Sequence, residues 1–325
     1  MKYVPLGSTG VMFSELCLGT MSFGGEADED EAKRMYAACR DRGVNFFDCA
    51  DVYVKGRSEE ILGRLIKGER DNLVITSKCH GVMRDDINAR GNNRRHIMSA
   101  VEASLKRLGT DRLDVYFMHH FDASLPIEEI LRTLENLVQQ GKVLYLGCSN
   151  YAASQNAKAL GISERRGWSR FDVIQPMYSL LKRQAETEIL PLAASEKIGV
   201  ISYSPVAGGV LSGKYAPGQT PNAGRLVTHH KYADRYGEEG TLETAIKFAD
   251  FAREHGYDPV SLAVAWVKSH PAITAPIMGA RTAEQLTPSL NAADIDLTPE
   301  MRAEISALSR TPPLATDRRE EQLEG

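Results

Sequence analysis

The stretch Asn45-Phe46-Phe47-Asp48-Cys49-Ala50-Asp51-Val52-Tyr53 reads as a buried strand that runs out of apolar residues and stops at a carboxylate. A tyrosine follows five residues after Asp48, in the loop that the strand must feed. Two later apolar runs end in the same manner: Leu73-Val74-Ile75-Thr76-Ser77 stops at Lys78, and Leu113 to Met118 stops at His119. In a parallel barrel the C-terminal ends of all strands open onto one face, where the active sites of that architecture sit. The pattern therefore predicts that Asp48, Tyr53, Lys78 and His119 meet in one pocket.

That quartet suits one kind of chemistry. A tyrosine hydroxyl titrates near pH 10, too high for acid–base work at neutrality, and a neighbouring ammonium lowers that value by stabilising the phenolate. The carboxylate holds the lysine charged and in place, and the imidazole orients a carbonyl oxygen. Together they describe a proton donor aimed at a carbonyl under reduction.

Working outward, the pattern alternates. A turn cluster, Leu6-Gly7-Ser8-Thr9-Gly10, sits between two extended pieces and predicts an N-terminal β-hairpin. Strand-like runs follow at 15–19, 44–48, 73–78, at a run ending at His119, and at 143–148, 171–175, 200–203 and 274–278. Helical segments lie between them, among them Arg94 to Leu108 with Ile97, Val101, Leu105 and Leu108 on one face. Ser58 stands as a helix N-cap and Pro126 at a helix first turn. Eight strands alternating with helices indicate an all-parallel α/β fold. No GxGxxG follows the first strand, and Gly24-Gly25 runs at once into acidic residues. Both points favour a closed (β/α)8 TIM barrel over a doubly wound sheet. We expect one domain over residues 1–325, with extra helices and loops over the C-terminal face. Residues 310–325 form a mobile or barrel-covering tail.

The composition excludes several functions. Of 325 residues, 42% are hydrophobic and 25% charged, with a net charge of −4, a globular balance without an electrostatic case for nucleic acid. No apolar run is long enough to span a membrane, and the N-terminus lacks a signal-peptide core. Five cysteines without CxxC spacing argue against a disulfide scaffold and fit a reducing cytoplasm.

Asn45-Phe-Phe-Asp48…Tyr53, Thr76-Ser-Lys78 and Tyr116-Phe-Met-His119-His-Phe-Asp122 resemble the three signature regions of the aldo-keto reductases, cofactor-dependent carbonyl reductases on a TIM barrel. The resemblance runs from Leu16-Cys-Leu-Gly19-Thr20-Met21 to Gly279-Ala-Arg281. It places the family's catalytic tetrad on Asp48, Tyr53, Lys78 and His119, with Tyr53 as general acid. A small carbonyl compound is the expected substrate.

None of the four can carry a hydride, so a cofactor is needed. At Gly19, Thr20 and Met21 the backbone can approach a ligand closely, beside Asp48. Ser149, Asn150 and Gln175 end two strands and can hydrogen-bond a nicotinamide carboxamide, and Tyr203 can stack on its ring; in the resembling family these positions do those jobs. Ser149-Asn150 also reads as a helix N-cap. The stretch Ser204-Pro205-Val206-Ala207-Gly208-Gly209-Val210-Leu211-Ser212-Gly213-Lys214 combines glycines, whose exposed N–H groups suit a pyrophosphate, with a cation. The family's usual form is closer to SPLxxGxLTGKY, and Gly208 stands where many members carry a larger side chain. Gly279 and Arg281 follow the last strand, in the usual phosphate site of this barrel. Gln285 lies a turn on, beside the adenine, and Ser289 stands where the family often has Asn. Arg281, with no acid expected beside it, favours the 2′-phosphate of NADPH/NADP.

Two rival readings arise. His119, His120 and Asp122 invite a metal, but neighbouring strand residues point to opposite faces, which turns His120 away or over the rim; no metal is expected. The family also includes cofactor-binding regulatory subunits of potassium channels, and the absence of a long basic N-terminal segment weighs against that role. Phe23, Val54, Met83, Phe121 and Tyr178 are candidates to line the substrate pocket, with loops at 20–27, 79–92, 120–125 and 216–240 around it.

Overall fold

A computed structural model describes residues 1–215, 226 and 230–316. The remainder of the 216–240 loop's first half and the chain end beyond 316 lie outside the described residues. The N-terminal hairpin pairs β1 (Tyr3–Pro5) with β2 (Met12–Ser14). Eight parallel strands then close a barrel: β3 (Cys17–Gly19), β4 (Phe46–Asp48), β5 (Val74–Cys79), β6 (Leu113–Met118), β7 (Val143–Ser149), β8 (Phe171–Gln175), β9 (Gly199–Ser202) and β10 (Ala275–Met278), with β10 pairing back onto β3. The fold is a (β/α)8 TIM barrel.

The helices between strands start where local chemistry satisfies their first N–H groups. Asp28 accepts from Glu31 N–H to open α1 (Glu29–Asp41). Asn93 accepts from His96 N–H to open α3 (Arg94–Leu108), which Gly109 closes in the left-handed conformation. Ser58 differs from expectation: Gly56 caps α2 (Arg57–Leu65), while the buried Ser58 hydroxyl donates to Thr20 O at 2.7 Å and ties the loop after β3 to α2. Pro126 is itself the N-cap of α4 (Ile127–Gln139) rather than lying inside it.

Two apolar clusters make the core. One lies between strands and helices; the other fills the barrel through inward residues such as Cys17, Phe46, Phe117 and Ile201. Phe117 needs Gly147 opposite it, because a Cβ there would sit 2.4 Å from its ring. The hairpin seals the floor. Leu6 and Phe13 are fully buried in the interior cluster, with Phe13 4.3 Å from Phe46, the first residue of β4. With the bottom plugged, the C-terminal end is where the barrel interior meets solvent.

Candidate active site

Strand register assembles the site. Gly19 aligns with Asp48, and Asp48 with Thr76. Lys78, two residues past Thr76, shares its face and reaches the next layer. Lys78 is fully buried and its ammonium donates to Asp48 Oδ2 at 2.6 Å, to Cys49 O at 2.7 Å and to the Tyr53 hydroxyl at 3.4 Å. The other carboxylate oxygen of Asp48 accepts from Thr76 Oγ1 at 2.7 Å and from Gln175 Nε2 at 3.1 Å. A buried charge pair endures only when its remaining lone pairs are satisfied, and Thr76 and Gln175 do that here. Thr76 was readable by its spacing from Lys78.

Tyr53 and His119 complete the group, their rings edge to face with centroids 6.0 Å apart. Burial works against the Lys78 charge, yet Asp48 and the Tyr53 oxygen hold its pKa above the ordinary ammonium value. Burial pushes the Tyr53 hydroxyl up to about 12, with Lys78 pulling it back and Asp48 adding to the rise. This overturns the expectation of a lowered pKa: the lysine is there, but its charge is shared with Asp48 and burial outweighs it. Tyr53 is therefore a protonated donor at neutral pH. Burial, with Lys78 and the neighbouring histidines, takes His119 down to about 2, so it is a neutral imidazole.

Of the two placements expected for His120, it takes the one over the rim, exposed, and is not turned away from His119. Strand β6 ends at Met118, so the alternation of a pleated strand no longer applies, and the His119 and His120 rings stack at 5.0 Å and 13°. His80 meets His120 edge to face at 5.3 Å, and its Nδ1 bonds the buried Asn92 side chain at 3.1 Å. Among the described residues no group of three His, Cys, Asp or Glu side chains is arranged to hold a metal.

The residues expected around a cofactor line the same end. Gly19 and the buried Thr20 edge the Asp48 side, and Met21 is exposed beside them. Ser149 and Asn150 do not cap a helix: α5 (Ala153–Arg166) begins from Ala152. Instead Ser149 Oγ donates to Gln175 O at 2.9 Å. Asn150, at φ 59°, donates to His119 O and Ser149 Oγ and accepts from the Tyr203 hydroxyl at 2.8 Å. One hydrogen-bonded chain thus runs Tyr203–Asn150–Ser149–Gln175–Asp48–Lys78–Tyr53.

Past β9, Ser204, Ala207, Gly208, Gly209 and Gly213 are all left-handed. A loop alternating between hands turns successive N–H groups to one side and makes an anion-binding concavity. Pro205 and Leu211 are buried beneath it, and Val206 is partly buried. The Lys214 ammonium lies 2.8 Å from where a Gly209 Cβ would be. Gly208 makes room for Tyr232, whose ring would stand 2.6 Å from a Cβ there. Tyr232 belongs to helix His230–Tyr236, an element the sequence reading missed because the residues there carry no clear helical periodicity. Gly279 stands exposed with open space where a Cβ would be. Arg281 N–H points to Gln285 Oε1 at 3.4 Å, and Ser289 is buried. The loop after β3 brings Glu26 to 4.0 Å from the Arg281 guanidinium, against the expectation that no acid stands there. An open, left-handed, glycine-rich turn with a lysine at one strand end and an arginine at the next fits a dinucleotide phosphate backbone.

Two pocket expectations fail. Phe23 and Tyr178 are fully buried, Tyr178 stacked on Trp266 at 5.2 Å, so neither lines the mouth. Val54 is exposed directly after Tyr53.

The family model described as "Aldo/keto reductase family" matches residues 15–310. The chain is 39% identical over 312 residues to "Uncharacterized oxidoreductase YrpG" of Bacillus subtilis, covering 93% of this chain and 94% of that one. It is 36% identical to "Probable voltage-gated potassium channel subunit beta" of Oryza sativa, covering 98% and 99%. It is 31% identical to "Versiconal hemiacetal acetate reductase" of Aspergillus parasiticus, covering 92% and 94%.

Proposed function

Because the chain belongs to the aldo/keto reductase family, we propose that it is an NADPH-dependent reductase of aldehydes or ketones, with Tyr53 as the general acid. The reduced nicotinamide, when bound, supplies the hydride. Ser149, Asn150, Gln175 and Tyr203 would hold its ring, the 204–214 turn its pyrophosphate, and Arg281 its 2′-phosphate.

The protein's own part follows from one observation: the buried Lys78 ammonium bonded at once to Asp48 and to the Tyr53 hydroxyl. A substrate carbonyl oxygen seated between Tyr53 and neutral His119 accepts two hydrogen bonds. As negative charge develops on that oxygen, the Tyr53 proton moves to it. The phenolate left behind is stabilised by Lys78, which Asp48, Thr76 and Gln175 hold in place. A donor whose free pKa is about 12 keeps its proton until an alkoxide forms.

Tyr53→Phe keeps the ring and removes the proton. Carbonyl reduction should fall by about 10² or more, while NADPH binding, followed by fluorescence, stays near wild type. Normal turnover in that variant would remove Tyr53 from the mechanism. The Oryza relative's name favours a second reading, a cofactor-binding regulatory subunit with slow turnover. Tight NADPH binding with negligible turnover over an aldehyde panel would favour it.

A further inference from the structure

Next to Tyr53 and His119 stands a polar group that the proton transfer does not use. His120 is exposed at the barrel mouth. Its ring stacks on that of His119, with centroids 5.0 Å apart and planes only 13° from parallel, so the two imidazoles stand side by side at the mouth. The His80 ring meets it edge to face at 5.3 Å and is itself bonded by the buried Asn92 side chain. Asn92 also donates to His120 O at 2.8 Å, which holds the backbone there. Among the described residues no hydrogen bond engages the ring nitrogens of His119 or of His120. Burial, with His80 and Lys231, lowers the His120 pKa, which keeps the ring neutral at physiological pH. A neutral imidazole has one N–H donor and one acceptor.

Resting on the reading of this site as a carbonyl reductase, we propose that His120 is a substrate-binding residue that selects carbonyl compounds carrying an oxygen, as hydroxyl or second carbonyl, on the carbon next to the reacting one. With the reacting oxygen held between Tyr53 and His119, the adjacent substituent falls one ring further along the stack, against His120. A hydroxyl there accepts from or donates to imidazole, whichever tautomer is present. A methyl group in the same place forms no such bond and displaces water from an imidazole that is hydrated in the free protein, so the apolar isostere binds less well by about one net hydrogen bond.

The test compares 2-hydroxypropanal with 2-methylpropanal, which exchange a hydroxyl for a methyl at the adjacent carbon. NADPH-dependent kcat/KM is measured for both and corrected for aldehyde hydration. The wild-type chain should favour 2-hydroxypropanal by about tenfold, the discrimination of roughly one hydrogen bond. His120→Phe keeps an aromatic ring on His119 and removes both nitrogens; its ratio should fall to near one. His120→Gln returns a donor and an acceptor and should recover part of the preference. A wild-type ratio near one, or a ratio retained by His120→Phe, overturns this inference alone, as does reduction of other aldehydes without 2-hydroxypropanal. A chain that reduces no carbonyl compound overturns the reductase reading and this inference with it.

Discussion

At Lys78 a single ammonium serves two oxygens of opposite need. Asp48 is bonded at 2.6 Å, Tyr53 at 3.4 Å. The closer partner takes most of the charge, and burial keeps the Tyr53 hydroxyl near 12. The sign of a pH effect follows. Reduction uses the protonated phenol, which persists throughout the neutral range. The reverse reaction, alcohol oxidation, uses the phenolate and so should rise with pH toward 12. Lys78→Met removes the charge that lowers this pKa and leaves Asp48 without its cation. Residual oxidation should therefore fall more at pH 9–10 than reduction falls at pH 6, and its rising limb should move to higher pH. Matched profiles of the two directions in wild type and variant check this. A limb that stays in place would mean that Lys78 does not act through Tyr53.

Among the elements, the strands were the most legible part, because each tetrad run ended on an ionisable residue and its end could be fixed by one side chain. Apolar continuity marked β4, β5 and β6 to within two residues. Less legible was whatever depends on loops meeting across the mouth. The sequence put Arg281 alone because its neighbours in the chain are not acidic; Glu26 comes to it from the loop after β3. For His120 the strand rule left two placements, away or over the rim, because that rule stops applying at Met118. Tyr232 was invisible, although Gly208, noted as a departure from the family's usual residue, marked the space it fills. The Glu26–Arg281 approach carries its own prediction. A 2′-phosphate must compete with a carboxylate already at 4.0 Å. Arg281→Ala should raise the KM for NADPH about tenfold or more and leave NADH nearly unchanged, since roughly 1.4 kcal/mol of lost charge-assisted bonding is a factor of ten. Glu26→Gln should act in the opposite sense and lower the KM for NADPH. Equal losses with both cofactors in Arg281→Ala would make Arg281 a support for the loop rather than a reader of the phosphate.

For the molecule as a whole, the buried charges behind the site set how stability depends on pH. Asp51, two residues before Tyr53, is fully buried, and neither carboxylate oxygen has a hydrogen-bond partner among the described residues. Its amide donates to Lys78 O at 3.1 Å, so the site's own loop holds it inside. Burial raises its pKa to about 7, the Glu59 carboxylate adds to the rise, and Arg107, which bonds Glu59 at 2.6 Å, only partly offsets it. In the unfolded chain the same group titrates near its ordinary value of about 3.9. Between those values the folded state binds the extra proton, so stability falls as pH rises from about 4 to about 7. The loss is complete above that window and is on the order of a few kcal/mol. Asp51→Asn keeps the shape and cannot ionise. Its stability relative to wild type should therefore improve from pH 4.5 to pH 8, because groups not coupled to Asp51 titrate alike in both chains and cancel in the comparison. Urea unfolding of the two proteins at those pH values measures the difference. A difference that stays constant across the window, or that turns against Asn at pH 8, would show that Asp51 is ionised in the folded barrel and finds a partner there.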